Sequence, residues 1–183
     1  MSPRGSIRKP VRSISDGDDA VSRDDQLEFA RRIALNLLQT RARSADELRR
    51  AMAKKNVPDE IAEELLGRFE AVGLIDDDAF AAALVTTRTN VARRGSRRIR
   101  QELREKGVPD DVAEKALAAA DPQEELDAAA TFAAKKVRSM TGLKESVARR
   151  RLYGALARRG FSGDVVRQVV DEALGSRRDP LDD

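Results

Sequence analysis

The feature that most constrains the fold of this chain is a short segment that recurs three times at nearly constant spacing. It reads KNVPDEI at residues 55–61, KGVPDDV at 106–112 and RGFSGDV at 159–165. The copies begin 51 and then 53 residues apart. Repeats longer than about 20 residues with helical signals are typical of stacked helical arrays. The sequence therefore indicates three similar modules in tandem.

Apolar residues precede each copy of this segment at matched offsets. Nine positions before the apolar residue of the segment lies one apolar side chain, and five positions before it lies another. Because residues four apart share one face of an α-helix, each module is predicted to bury the same face of one helix. The predicted buried positions are Leu48 and Met52, Ile99 and Leu103, and Leu152 and Leu156, followed by Val57, Val108 and Phe161.

Local signals mark where the helices end and begin. Gly107 and Gly160 suit the left-handed position that follows a helix, and Asn56 is the next most suitable residue at the equivalent site. Residues 44–47, SADE, form a capping-box pattern that opens a helix. Asp121 is followed by a proline, which suits the first turn of another helix.

These signals predict an all-α protein, an elongated array of three tandem three-helix repeats. Repeat 1 is assigned to residues 24–75, repeat 2 to 76–120 and repeat 3 to 121–174. Residues 1–23 are predicted to be a disordered tail and residues 175–183 a flexible one, because both contain few bulky apolar side chains. The predicted helices cover 25–39, 44–55 and 58–71, then 77–91, 95–106 and 109–119, and finally 122–139, 144–159 and 162–174.

Composition excludes several classes of site. The 183 residues include no cysteine and no histidine, which removes disulfides, thiolate nucleophiles, the usual zinc ligands and histidine-dependent triads. No Walker or GxGxxG motif occurs, and no cofactor is predicted. No apolar run approaches the roughly 18 residues of a membrane span, and the N-terminus lacks the apolar stretch of a secretory signal. The simplest interpretation is a cytoplasmic protein with no membrane partner.

Three consecutive aspartates at residues 76–78 raise the question of a cation site. An EF-hand loop needs alternating ligands, a central glycine and a terminal glutamate, and this stretch does not have that arrangement. Asp76 or Asp77 is instead predicted to cap the helix that follows.

The charges of the chain are grouped, although the net charge is only +3. Residues 88–106 contain eight basic and two acidic side chains, and residues 135–159 contain nine basic and one acidic. In contrast, residues 59–78 contain eight acidic side chains and one basic, and residues 110–127 contain seven acidic and one basic. Such blocks are typical of surface faces with different partners.

The basic block of repeat 2 is predicted to form a ridge along the solvent face of one helix. At about 100° per residue, four side chains fall on that face: Arg93, Arg97, Arg100 and Arg104. One interpretation is a solvated face balanced by ion pairs. The other is a surface that binds an acidic polymer or an acidic protein groove, and the second basic block in repeat 3 favours it.

Aromatic content bears on which polymer this surface would bind. All five phenylalanines, Phe29 included, are predicted to lie in the core, and the hydroxyl of Tyr153 is predicted to reach the surface. Because single-strand binders usually stack bases on aromatic side chains, this favours sequence-independent backbone contact over base readout. The predicted phosphate-binding residues are Arg93, Arg94, Arg97, Arg98, Arg100, Arg104, Lys135, Lys136, Arg149, Arg150, Arg151, Arg158 and Arg159.

Four segments carry a resemblance to a known family. They are RSADEL at residues 43–48, GLIDDDAFA at 73–81, GSRRIRQELREKGV at 95–108 and RRGF at 158–161. The third segment is the most specific, and the ordered set is stronger than any one member. Together the segments resemble the bacterial RecX family of regulatory proteins, which modulate the RecA recombinase. The resemblance extends over residues 25–174.

The resemblance implies a curved array of three-helix repeats without catalytic activity. It implies binding in the helical groove of the RecA filament on single-stranded DNA, and inhibition of ATP hydrolysis, coprotease activity and strand exchange in DNA repair and the SOS response. The basic residues would then contact RecA or the DNA backbone, and a monomer is expected. Two alternatives stay open: a direct DNA-binding protein, sequence-independent or of helix-turn-helix type, and a helical scaffold for a protein partner.

Overall fold

The computed structural model describes residues 22–175, and within this range the chain forms nine α-helices and no strand. Every predicted helix is present, and each boundary agrees with its prediction to within two residues. The helices are α1 (Arg23–Leu38), α2 (Ala45–Ala53), α3 (Asp59–Ala71), α4 (Asp77–Asn90), α5 (Ser96–Glu105), α6 (Asp110–Ala118), α7 (Pro122–Arg138), α8 (Glu145–Arg158) and α9 (Gly163–Gly175). The all-α prediction is confirmed.

The two predicted tails lie almost entirely outside the described residues. At the N-terminal boundary, Ser22 caps α1 by accepting a hydrogen bond from the backbone N–H of Asp25, and Arg23 is the first residue of that helix. At the C-terminal boundary, Gly175 is the last residue of α9. None of the helices within residues 22–175 is long and apolar enough to cross a lipid bilayer.

The predicted helix termini are confirmed at several positions. Ser44 and Glu47 form a capping box at the start of α2. Asp76 caps α4 by accepting from the backbone N–H of Ala79 at 2.9 Å. This capping role accounts for one of the three consecutive aspartates, and no cluster of three or more carboxylates in the described part of the chain is arranged to hold a metal ion. Left-handed φ angles follow the middle helices at Asn56, Gly107 and Gly160.

Each repeat has its own apolar core. The six middle-helix positions predicted from the matched offsets are between 0% and 1% exposed, and Val57, Val108 and Phe161 are also buried. They belong to three separate apolar clusters within residues 22–175, one for each repeat. The three helices of a repeat pack on one another, whereas the main helix-to-helix packing between repeats joins α4 to α7. The protein is thus a row of small cores joined at narrow junctions.

The prediction that all five phenylalanines are buried is wrong for Phe29. Its side chain is 39% exposed on α1, where the guanidinium of Arg32 lies 5.6 Å from the ring centroid. Phe80 and Phe132 are half-buried, and each lies beneath a cation.

The middle helices meet end to end at the repeat junctions. At the first junction, the hydroxyl of Ser44 at the start of α2 donates to the carbonyl of Lys106 at the end of α5, at 2.5 Å. The ammonium of Lys106 reaches back to the carboxylate of Glu47 at 3.2 Å. At the second junction, the backbone N–H groups of Gly95 and Arg97 donate to the two carbonyls that follow α8, at 3.0 and 3.1 Å.

Two glycines make the second junction possible. A Cβ atom at Gly95 would overlap the backbone of Phe161. Gly160 has a left-handed φ of 85°, and a Cβ atom there would overlap the backbone of Arg98. The segment that begins α5 and the segment that follows α8 therefore approach so closely that only glycine fits at these two positions.

A carboxylate from the next repeat caps the middle helix at both junctions. Asp77 of α4 accepts from the backbone N–H of Ala45 at 2.9 Å, and burial raises the pKa of Asp77. Glu125 of α7 accepts from the backbone N–H of Ser96 at 3.0 Å and from its hydroxyl at 3.2 Å. Negative charge is favourable at a helix N-terminus, so these acids stabilise the order of the repeats.

Candidate nucleic-acid interface

The structure pairs arginines of the middle helices with acids of the third helices. In repeats 1 and 2 the two partners are 14 residues apart, and in repeat 3 a similar pair is formed by other positions. In repeats 1 and 2 this explains why basic and acidic blocks alternate along the chain, because much of their charge is neutralised inside the repeat, whereas in the basic block of repeat 3 only Arg149 forms an ion pair among the described residues. The pairs are Arg49–Glu63, Arg100–Glu114 and Arg149–Asp171, with Arg104–Asp110 beside the second.

The prediction of a four-arginine helix face is wrong at Arg93. Helix α5 begins at Ser96, and Arg93 precedes it with a left-handed φ of 51°. Of the remaining three, Arg100 and Arg104 are the paired side chains described above. Arg97 is exposed and has no side-chain partner among the described residues. The ridge therefore carries one free cation rather than four.

Arg94 has a structural role at the base of α5. Its guanidinium donates to Glu102 at 2.6 Å, and Arg88 donates to the same carboxylate at 2.7 and 2.9 Å. The hydrogen bond from Arg88 lowers the pKa of Glu102, against the opposing effect of burial. These two arginines and Glu102 link α4 to α5, so the charge of Arg94 is already paired with a carboxylate.

Four of the predicted residues, Arg93 among them, are brought together in a cleft between repeats 2 and 3. The cleft has a volume of about 510 Å³ and lies between the loop that follows α4 and one face of α7. Among residues 22–175, no acidic side chain lines it. The cations that line it are Arg93, Lys135, Lys136 and Arg159. We call this feature the junction cleft.

Arg159 is the fixed cation of the junction cleft. Its guanidinium lies 4.5 Å from the centroid of the Phe132 ring and donates to the carbonyls of Ala92 and Arg93 at 2.5 and 3.2 Å. The side chain therefore joins the loop of repeat 2 to α7 of repeat 3. Cation–π contact and two carbonyl acceptors hold its charge in place without neutralising it.

The two lysines of the junction cleft are exposed and have no carboxylate partner within the described range. Lys135 and Lys136 lie near the end of α7, three and four residues after Phe132, and therefore on the same side of the helix. The ammonium of Lys136 is 6.0 Å from the Phe132 ring centroid. Several like charges around one concave surface raise its positive potential, which favours an anion. Lysine ammonium groups and arginine forks are the side chains that proteins use for phosphate.

The other predicted residues lie mainly on α8. Arg150, Arg151 and Arg158 are exposed and make no ion pair with any described residue. Arg98 on α5 donates to Gln101 at 2.8 Å. The predicted set thus separates into cleft residues, internally paired residues and exposed residues of α8 and α5.

Sequence reasoning misses the apolar part of the cleft. The sequence pattern places Phe132 in the core, yet the ring forms the surface on which Arg159 rests, and Val91 is 78% exposed at the rim. The helical spacing of Phe132 from the two lysines is a sequence signal that could have placed the ring beside them. For the ion pairs inside repeats 1 and 2, the sequence signal is the common spacing of 14 residues in Arg49–Glu63 and Arg100–Glu114.

Comparison with known families divides the chain in the same way as the helices do. Residues 30–69 match the family described as RecX, first three-helix domain. Residues 76–117 match RecX, second three-helix domain, and residues 123–170 match RecX, third three-helix domain. Each match lies within one of the three repeats.

Curated relatives and solved structures agree with this division. Regulatory protein RecX of Streptomyces coelicolor is 41% identical over 150 residues, covering 82% of this chain and 80% of that protein. The Mycolicibacterium smegmatis protein of the same name is 36% identical over 182 residues, 97% of each. The crystal structure of RecX from Lactobacillus salivarius superposes with a TM-score of 0.77 at 23% identity, covering 82% of this chain and 97% of that one. With all three domains matched and such relatives along most of its length, this chain belongs to the RecX family.

Proposed function

We propose that this protein regulates the RecA recombinase by binding the RecA filament on single-stranded DNA. Membership of a family of regulatory proteins supports this role. The observation that carries it is the junction cleft, where four cations surround a surface without an acidic residue in the described range. A phosphate backbone supplies the anions that such a surface lacks.

The contact is with the DNA backbone rather than with particular bases. Lysine ammonium groups on flexible stems and an arginine fork bind phosphates in any sequence context. The exposed cations Arg97, Arg150 and Arg151 would extend the contact on both sides of the junction. A row of repeats is suited to a repeating polymer, because successive modules can follow successive turns of a filament.

In this role the protein is a non-enzymatic inhibitor. By occupying the helical groove of the filament it would restrain the changes that accompany ATP hydrolysis, and so lower coprotease activity and strand exchange. It would act as a monomer in the cytoplasm, in DNA repair and the SOS response. No cofactor is required, since the effect comes from binding.

The geometry of the two junctions disfavours α2 and α5 as the recognition helix of a helix-turn-helix regulator. A recognition helix reads base edges with residues at its N-terminus. In α5 that end is covered, because Gly95 and Arg97 donate to the carbonyls that follow α8. In α2 it is covered by Lys106 and Asp77 of the second repeat. These two helices therefore do not present a free N-terminus to a DNA groove.

The test is the ATPase activity of RecA on single-stranded DNA while the full-length protein is added. We expect the rate to fall as the protein approaches the concentration of RecA. The double variant Lys135→Gln/Lys136→Gln should need a higher concentration for the same inhibition, and circular dichroism should show its helices unchanged. An ATPase rate unaffected by the wild-type protein in excess over RecA would contradict the proposed function.

A further inference from the structure

One surface position differs between the three repeats in a way that points to a ligand. In repeats 1 and 2, an arginine on the middle helix pairs with a glutamate on the third helix. By the offset of 53 residues, the equivalent of Arg100 in repeat 3 is Tyr153, and the equivalent of Glu114 is Arg167. The third repeat thus has an aromatic ring where the first two have a paired arginine, and its Arg167 pairs with Asp164 on the same helix rather than with the middle helix.

The ring of Tyr153 is not buried in the core of repeat 3. Its side chain is 43% exposed, while Leu152 beside it is fully buried in the repeat 3 core. The hydroxyl group has no hydrogen-bond partner in the described part of the protein. One turn earlier on the same helix, Arg150 is exposed and makes no ion pair with any residue from 22 to 175. An apolar ring with a free hydroxyl and an unpaired cation is therefore presented to solvent.

Gly154, the residue after Tyr153, leaves space along α8 for the side chain of a second cation, Arg158. It lies in the interior of α8, where glycine is unfavourable. The Nη1 atom of Arg158 lies 3.2 Å from the position that a Cβ atom at Gly154 would take. The guanidinium therefore folds back along α8 to the level of Gly154. A side chain at position 154 would displace it.

We propose that Tyr153 is a stacking platform for a base of single-stranded DNA, with Arg150 and Arg158 as neighbouring phosphate contacts. This deepens the proposed function, on which it rests, by adding a base contact to a backbone interface. Aromatic side chains beside a basic surface are the usual means of holding an unpaired base, and stacking tolerates any base because each has a flat face. A duplex does not offer such a face, so the platform selects single strands.

A pair of oligonucleotide probes separates stacking from backbone contact. The first probe is oligo-dT, and the second is an abasic strand of equal length with the same number of phosphates. We expect Tyr153→Ala to weaken binding to oligo-dT by about fivefold to a hundredfold, the equivalent of roughly 1–3 kcal/mol for one stacked base. Binding to the abasic strand should be unchanged. Tyr153→Phe should keep most of the affinity, and Phe29→Ala, an exposed aromatic of repeat 1, should have no effect.

Tyrosine fluorescence gives a direct signal, because the chain contains one tyrosine and no tryptophan. Oligo-dT should quench the emission after correction for its absorption, and the abasic strand should not. These measurements contain no RecA, so they do not depend on whether RecA activity is regulated. Equal losses on the two probes, no loss on either, or unquenched emission would overturn the proposal. So would a Tyr153→Ala variant that loses inhibition of RecA while its binding to oligo-dT is intact, since the ring would then contact protein.

Discussion

Ser44 and Lys106, which belong to different repeats, are joined by a hydrogen bond of 2.5 Å from the serine hydroxyl to the lysine carbonyl. The same hydroxyl oxygen accepts from the backbone N–H of Glu47 at 3.1 Å and so caps α2. Ser44 is fully buried. A single side chain therefore completes a helix and closes a junction between two repeats.

Removal of this hydroxyl should destabilise the protein more than the loss of an ordinary cap. We expect Ser44→Ala to lower the free energy of unfolding by about 1–3 kcal/mol, because the half-buried carbonyl of Lys106 and a helix N–H both lose their partner. Urea unfolding would measure it. Ser22→Ala is the matched control, since Ser22 caps α1 at an exposed site without bridging two repeats. An equal effect of the two substitutions would mean that the bond to Lys106 contributes nothing.

The ion pair between repeats 1 and 2 should make stability depend on pH. Burial opposes the ionisation of Glu47, but hydrogen bonds from Arg41 and Lys106 outweigh it and lower its pKa from an ordinary value of 4.5 to about 2. The ionised group therefore stabilises the fold above pH 4.5, and this contribution is lost as the pH falls toward 2. Glu47→Gln should be less stable than the wild type at pH 7.

Unfolding in urea at a series of pH values checks this prediction. The difference in free energy of unfolding between wild type and Glu47→Gln should shrink steadily below pH 4.5. A difference that stays constant over that range would mean that the charge of Glu47 has no part in it. The missing interaction would then be its uncharged contact with the backbone of Ser44.

Glycine substitutions should have opposite effects at two sites. Gly67 lies inside α3, and no atom would lie within 4 Å of an added Cβ. Gly67→Ala should therefore raise the free energy of unfolding by about 0.5–1 kcal/mol. Gly95→Ala should lower the free energy of unfolding by roughly 1–3 kcal/mol, because the added Cβ would force the two backbone segments of the junction apart. Thermal unfolding of both variants measures the contrast, and a stabilised Gly95→Ala would show that the junction is loosely packed.

The helices and their buried faces could be predicted because they depend on local patterns. Caps such as Ser44 and the apolar spacing of Ile99 and Leu103 lie within a few residues of one another in the sequence. The pairing of Arg100 with Glu114 could not be predicted in this way, because those residues meet only after α5 and α6 have packed. The sequence of α5 alone shows a surplus of positive charge, and acids of α6 neutralise much of it in the folded repeat.

The sequence could predict that basic residues form the site, but it could not predict where those residues lie in the fold. The sequence pattern puts Arg93 on a helix face, whereas the chain makes a left-handed turn there before α5 begins. The approach of Arg159 to the carbonyls of Ala92 and Arg93 depends on how two repeats join. A cleft formed by a junction has no local signature, so its lining residues are visible in the sequence only as members of two basic blocks.

The central proposal is that this protein binds the RecA–DNA filament through the unpaired cations of the junction cleft, and not through the paired arginines of α5. Two charge-matched variants separate these possibilities: Lys135→Gln/Lys136→Gln in the cleft, and Arg100→Gln/Arg104→Gln on α5. Each removes two positive charges from the surface.

The deciding measurement is the affinity of each variant for the RecA filament on single-stranded DNA over a range of salt concentrations. We expect the cleft variant to bind more weakly, and the slope of log K against log salt to fall by about 0.7 for each phosphate that the variant no longer binds. The α5 variant should bind nearly as well as the wild type. Wild-type affinity and slope for the cleft variant, together with weaker binding by the α5 variant, would contradict this assignment and place the interface on α5.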